Sequence, residues 1–172
     1  MELADIIAKR HSVRQFDPAY PVTDAQITRL LEAAVRAPSA GNVQPWFFYV
    51  VRDANTRRAL ATAAFGQSFV AQAPVVIVVC AEPDRSAARY GDRGRDLYCL
   101  QDTANAITHM QLMAIDQGLG SCWVGAFDEM MAADVLSLPP TRRPVALIPI
   151  GRPARATSPR PRRPLADVCQ FV

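Results

Sequence analysis

The sequence predicts a domain in which α-helices and β-strands share one core, and three observations predict it. Residues 23–36 carry Ile27, Leu30, Leu31, Ala34 and Val35 at helical spacing, behind a Thr23-Asp24-Ala25-Gln26 start of capping-box form. Three apolar runs, 47–51, 75–80 and 145–150, are short, bounded by turn or charged residues, and read as strands. Residues 95–117 form a long helical pattern whose second half, with Met110, Leu112 and Met113, is apolar nearly all round. At 172 residues the chain is one domain's worth and can bury a real core.

In order, Leu3, Ile6 and Ile7 fall at i, i+3 and i+4, which predicts a first short helix ending near Arg10. Pro38 stops the second helix. Arg52-Asp53 ends the first strand, and Asp53 caps a helix through about Ala64. A break at 65–69 leads to a short helical turn over 70–73. The continuous apolar run 75–80 suggests a central strand covered on both faces. Residues 82–94, with Arg85, Arg89, Asp92 and Arg93, read as a mobile polar surface loop.

In the long helix Leu97, Leu100, Ala104, Ile107, Gln111 and Ala114 line one face, and His109 reads as a packed side chain. Gly118-Leu119-Gly120 closes it with glycine C-cap chemistry, and 121–127 is strand-like at first. Asp128 caps a short helix to Leu136, stopped by Leu138-Pro139-Pro140. The last strand ends at Gly151-Arg152-Pro153. Residues 154–164 are rich in proline and arginine and cannot fold alone. The hydrophobic residues Leu165, Val168, Phe171 and Val172 beyond them need a partner surface.

Composition removes several functions. No apolar run is long enough to span a bilayer, and the N-terminus lacks the basic and apolar regions of a secretory signal, so the expectation is a cytoplasmic protein with no membrane association. Cys80, Cys99, Cys122 and Cys169 form no CxxC pair, so neither a disulfide framework nor a zinc site is expected. Of 19 basic residues only Lys9 is a lysine, which all but excludes lysine chemistry. Arg142, Arg143, Arg152, Arg155, Arg160, Arg162 and Arg163 crowd the end of the chain. A solvated basic tail explains them, and nucleic-acid binding is not expected, because no aromatic residues interleave and no recognition motif accompanies the charge.

Two stretches remain as candidate sites. Arg10-His11-Ser12-Val13-Arg14 puts two forked donors around a hydroxyl, a pattern that suits phosphate oxygens and equally describes ordinary exposed arginines near a helix end. The nine residues 38–46, Pro38-Ser39-Ala40-Gly41-Asn42-Val43-Gln44-Pro45-Trp46, are long for a helix-to-strand connection. Their small residues let a flat ligand or another backbone come close, and Asn42 and Gln44 offer donors and acceptors. A capped turn plugged by Trp46 accounts for them as well as a binding loop does. No dinucleotide fingerprint, Walker loop, GxSxG serine or metal-spaced histidine pair exists. The absence of a residue-borne catalyst favours a bound cofactor, and it equally describes a non-catalytic binding protein.

Taken together, Arg10 to Arg14, the stretch 38–46, residues 118–127 and Pro149-Ile150-Gly151-Arg152-Pro153 with the arginine tail resemble the flavin-dependent nitroreductase family. Each block alone is weak, and their shared order over nearly the whole chain is what identifies the resemblance. Residues 91–98 and Gln101-Asp102-Thr103-Ala104 also resemble its compact members. The resemblance implies an α+β fold, with a mostly antiparallel central sheet wrapped by helices, in an intertwined homodimer with two FMN sites at the interface. It implies one FMN-binding domain over residues 1–172, with 154–172 a tail reaching the partner subunit.

By the same resemblance Arg10, Ser12, Arg160 and Arg162 would hold the FMN phosphate, with backbone contacts from His11, while Arg163 lies close to that pair in sequence. Arg14 would sit near the flavin edge that carries negative charge on reduction. Pro38, Ser39, Ala40, Gly41 and Asn42 would lie against the flavin of the other subunit. Gln67 would donate to the ring's polar edge, and Val124 and Gly125 would offer backbone N–H groups. The implied reaction is ping-pong: NAD(P)H reduces FMN, then a small flat nitroaromatic or quinone-like acceptor takes the electrons, with no catalytic side chain. A specialised relative, such as a reductive dehalogenase or an azoline dehydrogenase, and a non-catalytic redox sensor are the alternatives. The chain lacks the longer helical insertion of larger members, and residues 82–94 stand in its place.

Overall fold

The computed structural model describes residues 1–156 and 159–172; positions 157 and 158, within the stretch read as the tail, lie outside the described residues. Chain order is α1 (Leu3–Lys9), α2 (Asp24–Val35), β1 (Trp46–Val51), α3 (Ala54–Ala63), α4 (Ser68–Gln72), β2 (Val75–Ala81), α5 (Pro83–Arg93), α6 (Cys99–Asp116), β3 (Gly120–Ser121), α7 (Glu129–Val135) and β4 (Arg143–Gly151). The four strands form one antiparallel sheet in the order β1-β2-β4-β3. The fold is therefore α+β, with helices on both faces of the sheet.

The central strand β2 is buried at every position, as a continuous apolar run requires. Its side chains alternate between two cores. Val75, Ile77 and Val79 pack with Ile148 and Ile150 of β4 against Leu30 and Ala34 of α2 and Ile107 and Met110 of α6. Val76, Val78 and Cys80 face the other way, with Leu147, toward Leu60 of α3 and Ala132 of α7. Trp46 belongs to the first core, which is the plug expected of it.

Local signals set the helix ends. Thr23 and Gln26 form the reciprocal capping box at α2. Asp53 accepts from Thr56 N–H at α3, and Asp128 accepts from Met131 N–H at α7. Gly118, at φ 69°, supplies the left-handed residue that ends α6.

Residues 82–94 correct the sequence reading: they are not a loop but helix α5. Pro83 occupies its first turn, Asp84 complements its N-terminal dipole, and Ala87 and Ala88 are strong helix formers. The polarity that suggested a loop is the solvated face of an amphipathic helix. Gly91, at φ 58° and ψ −144°, bends it in a conformation open essentially to glycine alone. One π-helical turn, Gly94–Tyr98, then runs into α6, which starts four residues later than its periodicity suggested. The buried face of α6 is also rotated from the expected one: Cys99, Thr103, Ala106, Ile107, Met110 and Ala114 are buried, and so are Asp102 and Gln111. Among the described residues no helix is long and apolar enough to cross a membrane.

Candidate functional site

A cavity of about 670 Å³ is lined by Arg10, His11, Ser12, Val13, Arg14, Gln15, Arg155, Arg160 and Arg162. Five guanidinium groups and a serine hydroxyl thus meet around one space, and no carboxylate lines it. The backbone explains the meeting. Residues 12 and 13 run beside β3, with a parallel bridge between Ser12 and Ser121 and a 2.9 Å bond from Val13 N–H to Ser121 carbonyl. Phe16 then pairs with Pro153, Asp17 N–H donates to Arg152 carbonyl, and Ala154 N–H donates to Gln15 carbonyl. Val13 and Phe16 point into the core, so Ser12 and Arg14 point out. The same pairing brings the chain after β4, with its arginines, alongside the segment after α1.

None of these five arginines has a carboxylate partner within salt-bridge distance among the described residues. Arg162 only donates to the carbonyl of Arg160. His11 Nδ1 lies 2.8 Å from Lys9 carbonyl. Of the late arginines, Arg163 turns away to Asp167 carbonyl, while Arg160 and Arg162 line the cavity. Arg155 was not singled out as a site residue; its only sequence signal was membership of the arginine-rich end, with no motif around it.

The stretch 38–46 does not line this cavity. A 3₁₀ turn, Ala40–Asn42, occupies it, and Gly41, Asn42 and Gln44 all have positive φ. For Asn42 and Gln44 that conformation costs about 1 kcal/mol each. Helices α5 and α6 hold it in place. Arg85 Nε donates to Val43 carbonyl at 2.7 Å, and Arg89 donates to Gly41 carbonyl at 2.8 Å. Asp102 accepts from Ala40 N–H at 3.0 Å, and Asn105 donates to Pro38 carbonyl. Gly41 sits at φ 54°, and a Cβ there would lie 2.7 Å from Cζ of Arg89 and displace the ends of the Arg89 and Tyr90 side chains. The small residue accommodates the chain's own α5. Ser39 Oγ accepts from Gln44 N–H, and Gln44's side chain folds back on Asn42.

Asp102 is 4 % exposed, and its Oδ2 has no hydrogen-bond partner among the described residues. Burial raises its pKa above the ordinary carboxylate value, against the opposing pull of Ala40 N–H. Buried polar groups of this kind mark a position fixed by something other than packing.

Gln67 joins the remaining parts. Its side chain donates to the carbonyls of Ala64 and Ala126, both at 3.0 Å, which fastens the turn before α4 to the strip at 124–126. Of the two backbone donors expected on that strip, Val124 N–H is engaged at 3.0 Å with Leu147 carbonyl as a bridge to β4, so it is not available to a ligand. Gly125 N–H has no such partner among the described residues and lies on an exposed residue.

Three of the four cysteines are packed inside the fold, and Cys169 is exposed. Cys80, Cys99 and Cys122 are buried, and burial pushes the Cys80 thiol up to about 12. Cys122 is raised as well, although Arg14, Ser12 and Arg10 pull it back in part. Such thiols are poor nucleophiles. No cluster of three metal-ligating side chains occurs among the described residues.

Comparison with known proteins gives this arrangement a context. A sequence profile described as the nitroreductase family matches residues 7–71 and 63–152. The NADH dehydrogenase of Thermus thermophilus is 34% identical over 187 residues, covering 93% of this chain and 91% of that protein. The oxygen-insensitive NADPH nitroreductase of Helicobacter pylori is 24% identical, covering 97% and 95%. The crystal structure of a nitroreductase family protein from Streptococcus pneumoniae superposes with a TM-score of 0.91 at 26% identity, over 99% of this chain and 100% of that one.

Proposed function

The chain belongs to the nitroreductase family, and on that premise we propose that it is an FMN-dependent NAD(P)H oxidoreductase working as a homodimer on small flat nitroaromatic or quinone-like acceptors. The observation that carries the reading is the cavity: five arginines with no carboxylate partner among the described residues line it together with Ser12, a donor set that fits a phosphate dianion and an anionic ring edge. When bound, FMN supplies hydride chemistry between NAD(P)H and the acceptor, one after the other at the same face.

The chain's own residues then have these roles. Arg10, Ser12, Arg160 and Arg162 bind the phosphate, with His11 lending backbone contacts and Arg155 adding a further guanidinium to the same cavity. Arg14 offers a fixed positive charge to the edge of the ring that becomes negative on reduction. Gly125 N–H is the available backbone donor toward the ring, Val124 holding the strip to β4 instead. Gln67 fixes that strip to the turn before α4. Pro38, Ser39, Ala40, Gly41 and Asn42 border the partner's flavin and exclude water from it, kept in shape by Arg85, Arg89 and Asp102. No side chain is asked to act as acid, base or nucleophile.

The dimer reading is supported by surface that is poorly explained in one chain. Helix α1 has no buried residue, with Leu3 and Ile7 exposed. Residues 159–172 are exposed throughout, Phe171 at 94%. Apolar surface of this kind marks an interaction site. Residues 1–172 then act as one FMN-binding domain, with 154–172 reaching across the partner subunit.

The first experiment is the absorption spectrum of the purified protein, followed by anaerobic mixing with NADPH and NADH. Flavin bands that bleach on mixing are expected. A colourless protein that takes up no added FMN overturns the cofactor assignment, and bound flavin that never bleaches overturns the enzymatic one.

A further inference from the structure

Arg14 lines the cavity, yet among the described residues it makes no hydrogen bond or ion pair with its side chain. A long charged side chain left to itself samples many rotamers, and ordering it late has an entropic cost. One contact opposes that freedom: the guanidinium carbon lies 5.9 Å from the ring centre of Phe69. Both partners are built on fixed ground. Phe69 belongs to α4 and packs with Val13 and Phe16, from Arg14's own segment, and with Ala73. Gln67, the residue that opens α4, is tied to the carbonyls of Ala64 and Ala126.

Aromatic rings meet several arginines in this protein: Arg89, Arg93 and Arg152 also lie over tyrosine rings, but of these contacts only the one between Arg14 and Phe69 is made by an arginine that lines the cavity. Arg142 also stacks, 3.3 Å from the Phe47 ring centre, but it is held in addition by Tyr49 Oη and by Glu82. A carboxylate anchor neutralises the guanidinium and occupies its donors. A ring attracts the cation through its quadrupole and leaves all five N–H groups and the net charge in place. Resting on the flavin reading above, we infer that Phe69 is a positioning residue for Arg14: its ring holds the guanidinium at the cavity, uncompensated, so that it favours the reduced form of bound FMN over the oxidised one.

Two measurements on Phe69→Leu, Phe69→Tyr and Arg14→Ala test this. Leucine retains apolar contact with Val13, Phe16 and Ala73, and Phe69→Met replaces it if folding suffers. In the flavin-free protein, the Nε–H resonance of Arg14, assigned by its loss in Arg14→Ala, is expected to carry a ring-current shift. Phe69→Leu should abolish that shift and Phe69→Tyr should keep it. In the loaded protein, Phe69→Leu should weaken reduced relative to oxidised FMN by roughly two- to fivefold, the size of an exposed cation–π contact. Phe69→Tyr should restore the wild-type ratio, and Phe69→Leu should add nothing in an Arg14→Ala background.

An Arg14 resonance unmoved by Phe69→Leu, an unchanged affinity ratio, or a full additional drop on top of Arg14→Ala each overturns the inference. Wild-type protein that binds no FMN overturns the flavin reading and this redox consequence together. The arginine resonance then still decides the posture by itself.

Discussion

The two ends of β4 treat arginine in opposite ways. At its start Arg143 meets Glu129 with two 2.8 Å bonds, and neighbouring Arg142 reaches Glu82 and Tyr49. Beyond its far end, Arg155, Arg160 and Arg162 gather with Arg10 and Arg14 around a cavity that no carboxylate lines. Both groups are exposed enough to be solvated, so composition does not distinguish them. The difference is compensation. A paired arginine joins elements of the fold, whereas five with no carboxylate partner among the described residues repel each other and lower stability unless an anion arrives. Like charge kept together with no carboxylate partner among the described residues therefore points to a partner from outside the chain.

The sharpest way to break that contrast is to remove charge from each end and read the same quantity. Arg160→Ala combined with Arg162→Ala should weaken FMN binding by about a hundredfold or more, since each charged hydrogen bond contributes roughly 1.5–3 kcal/mol. Arg143→Ala should leave FMN affinity within about twofold, because a half-exposed ion pair contributes about 0.2–1 kcal/mol to stability and nothing to the cavity. Titration of FMN fluorescence quenching on both variants decides it. Equal losses would mean that the cavity arginines act through folding alone.

A smaller effect tests the other end. Arg142→Ala removes the stack on Phe47 and the 2.7 Å bond to Tyr49 Oη, and leaves Glu82 without its cation. A lower urea-unfolding midpoint than wild type is expected, with FMN affinity retained. A variant as stable as wild type that binds FMN poorly would reverse the assignment of the two ends.

The contrast also shows what the sequence could and could not reveal. Strands and caps were legible because they depend on near neighbours: Thr23 with Gln26, Asp53 with Thr56, the valines of β2. The family resemblance was legible too, and Arg10, Ser12, Arg160 and Arg162, which it named together, are brought to one cavity by the fold. Helix α5 was missed because its polar residues, Arg85, Arg89, Asp92 and Arg93 among them, outweigh the little of it that is buried. Compensation was not legible. Arg143 and Arg155 look alike in a string, and only the return of α7 beside β4 gives one of them Glu129. The same holds for Asp102, which carries no motif for its role under residue 40, and for Val124, whose N–H is claimed by a strand 23 residues away.

The mildest prediction concerns acid, and its sign follows from the pairing. Hydrogen bonding to Arg143 holds the Glu129 carboxyl below its usual 4.5, against a smaller effect of burial. A depressed carboxylate pKa contributes stability that is present above the unfolded value, and that stability is lost as pH falls through the folded one. The cavity end has no carboxylate among its lining residues to behave this way. As pH falls below the ordinary carboxylate value of 4.5 the protein should therefore progressively lose the Arg143–Glu129 contribution. Both side chains are about half exposed, so screening limits it to at most ~1 kcal/mol. In thermal unfolding Glu129→Gln should be slightly less stable than wild type at pH 7, and the difference should shrink as pH falls below 4.5. Curves that keep a constant separation across that range would show that Glu129 does not act through its charge, and the opposition between paired and unpaired arginines would then rest on the cavity end alone.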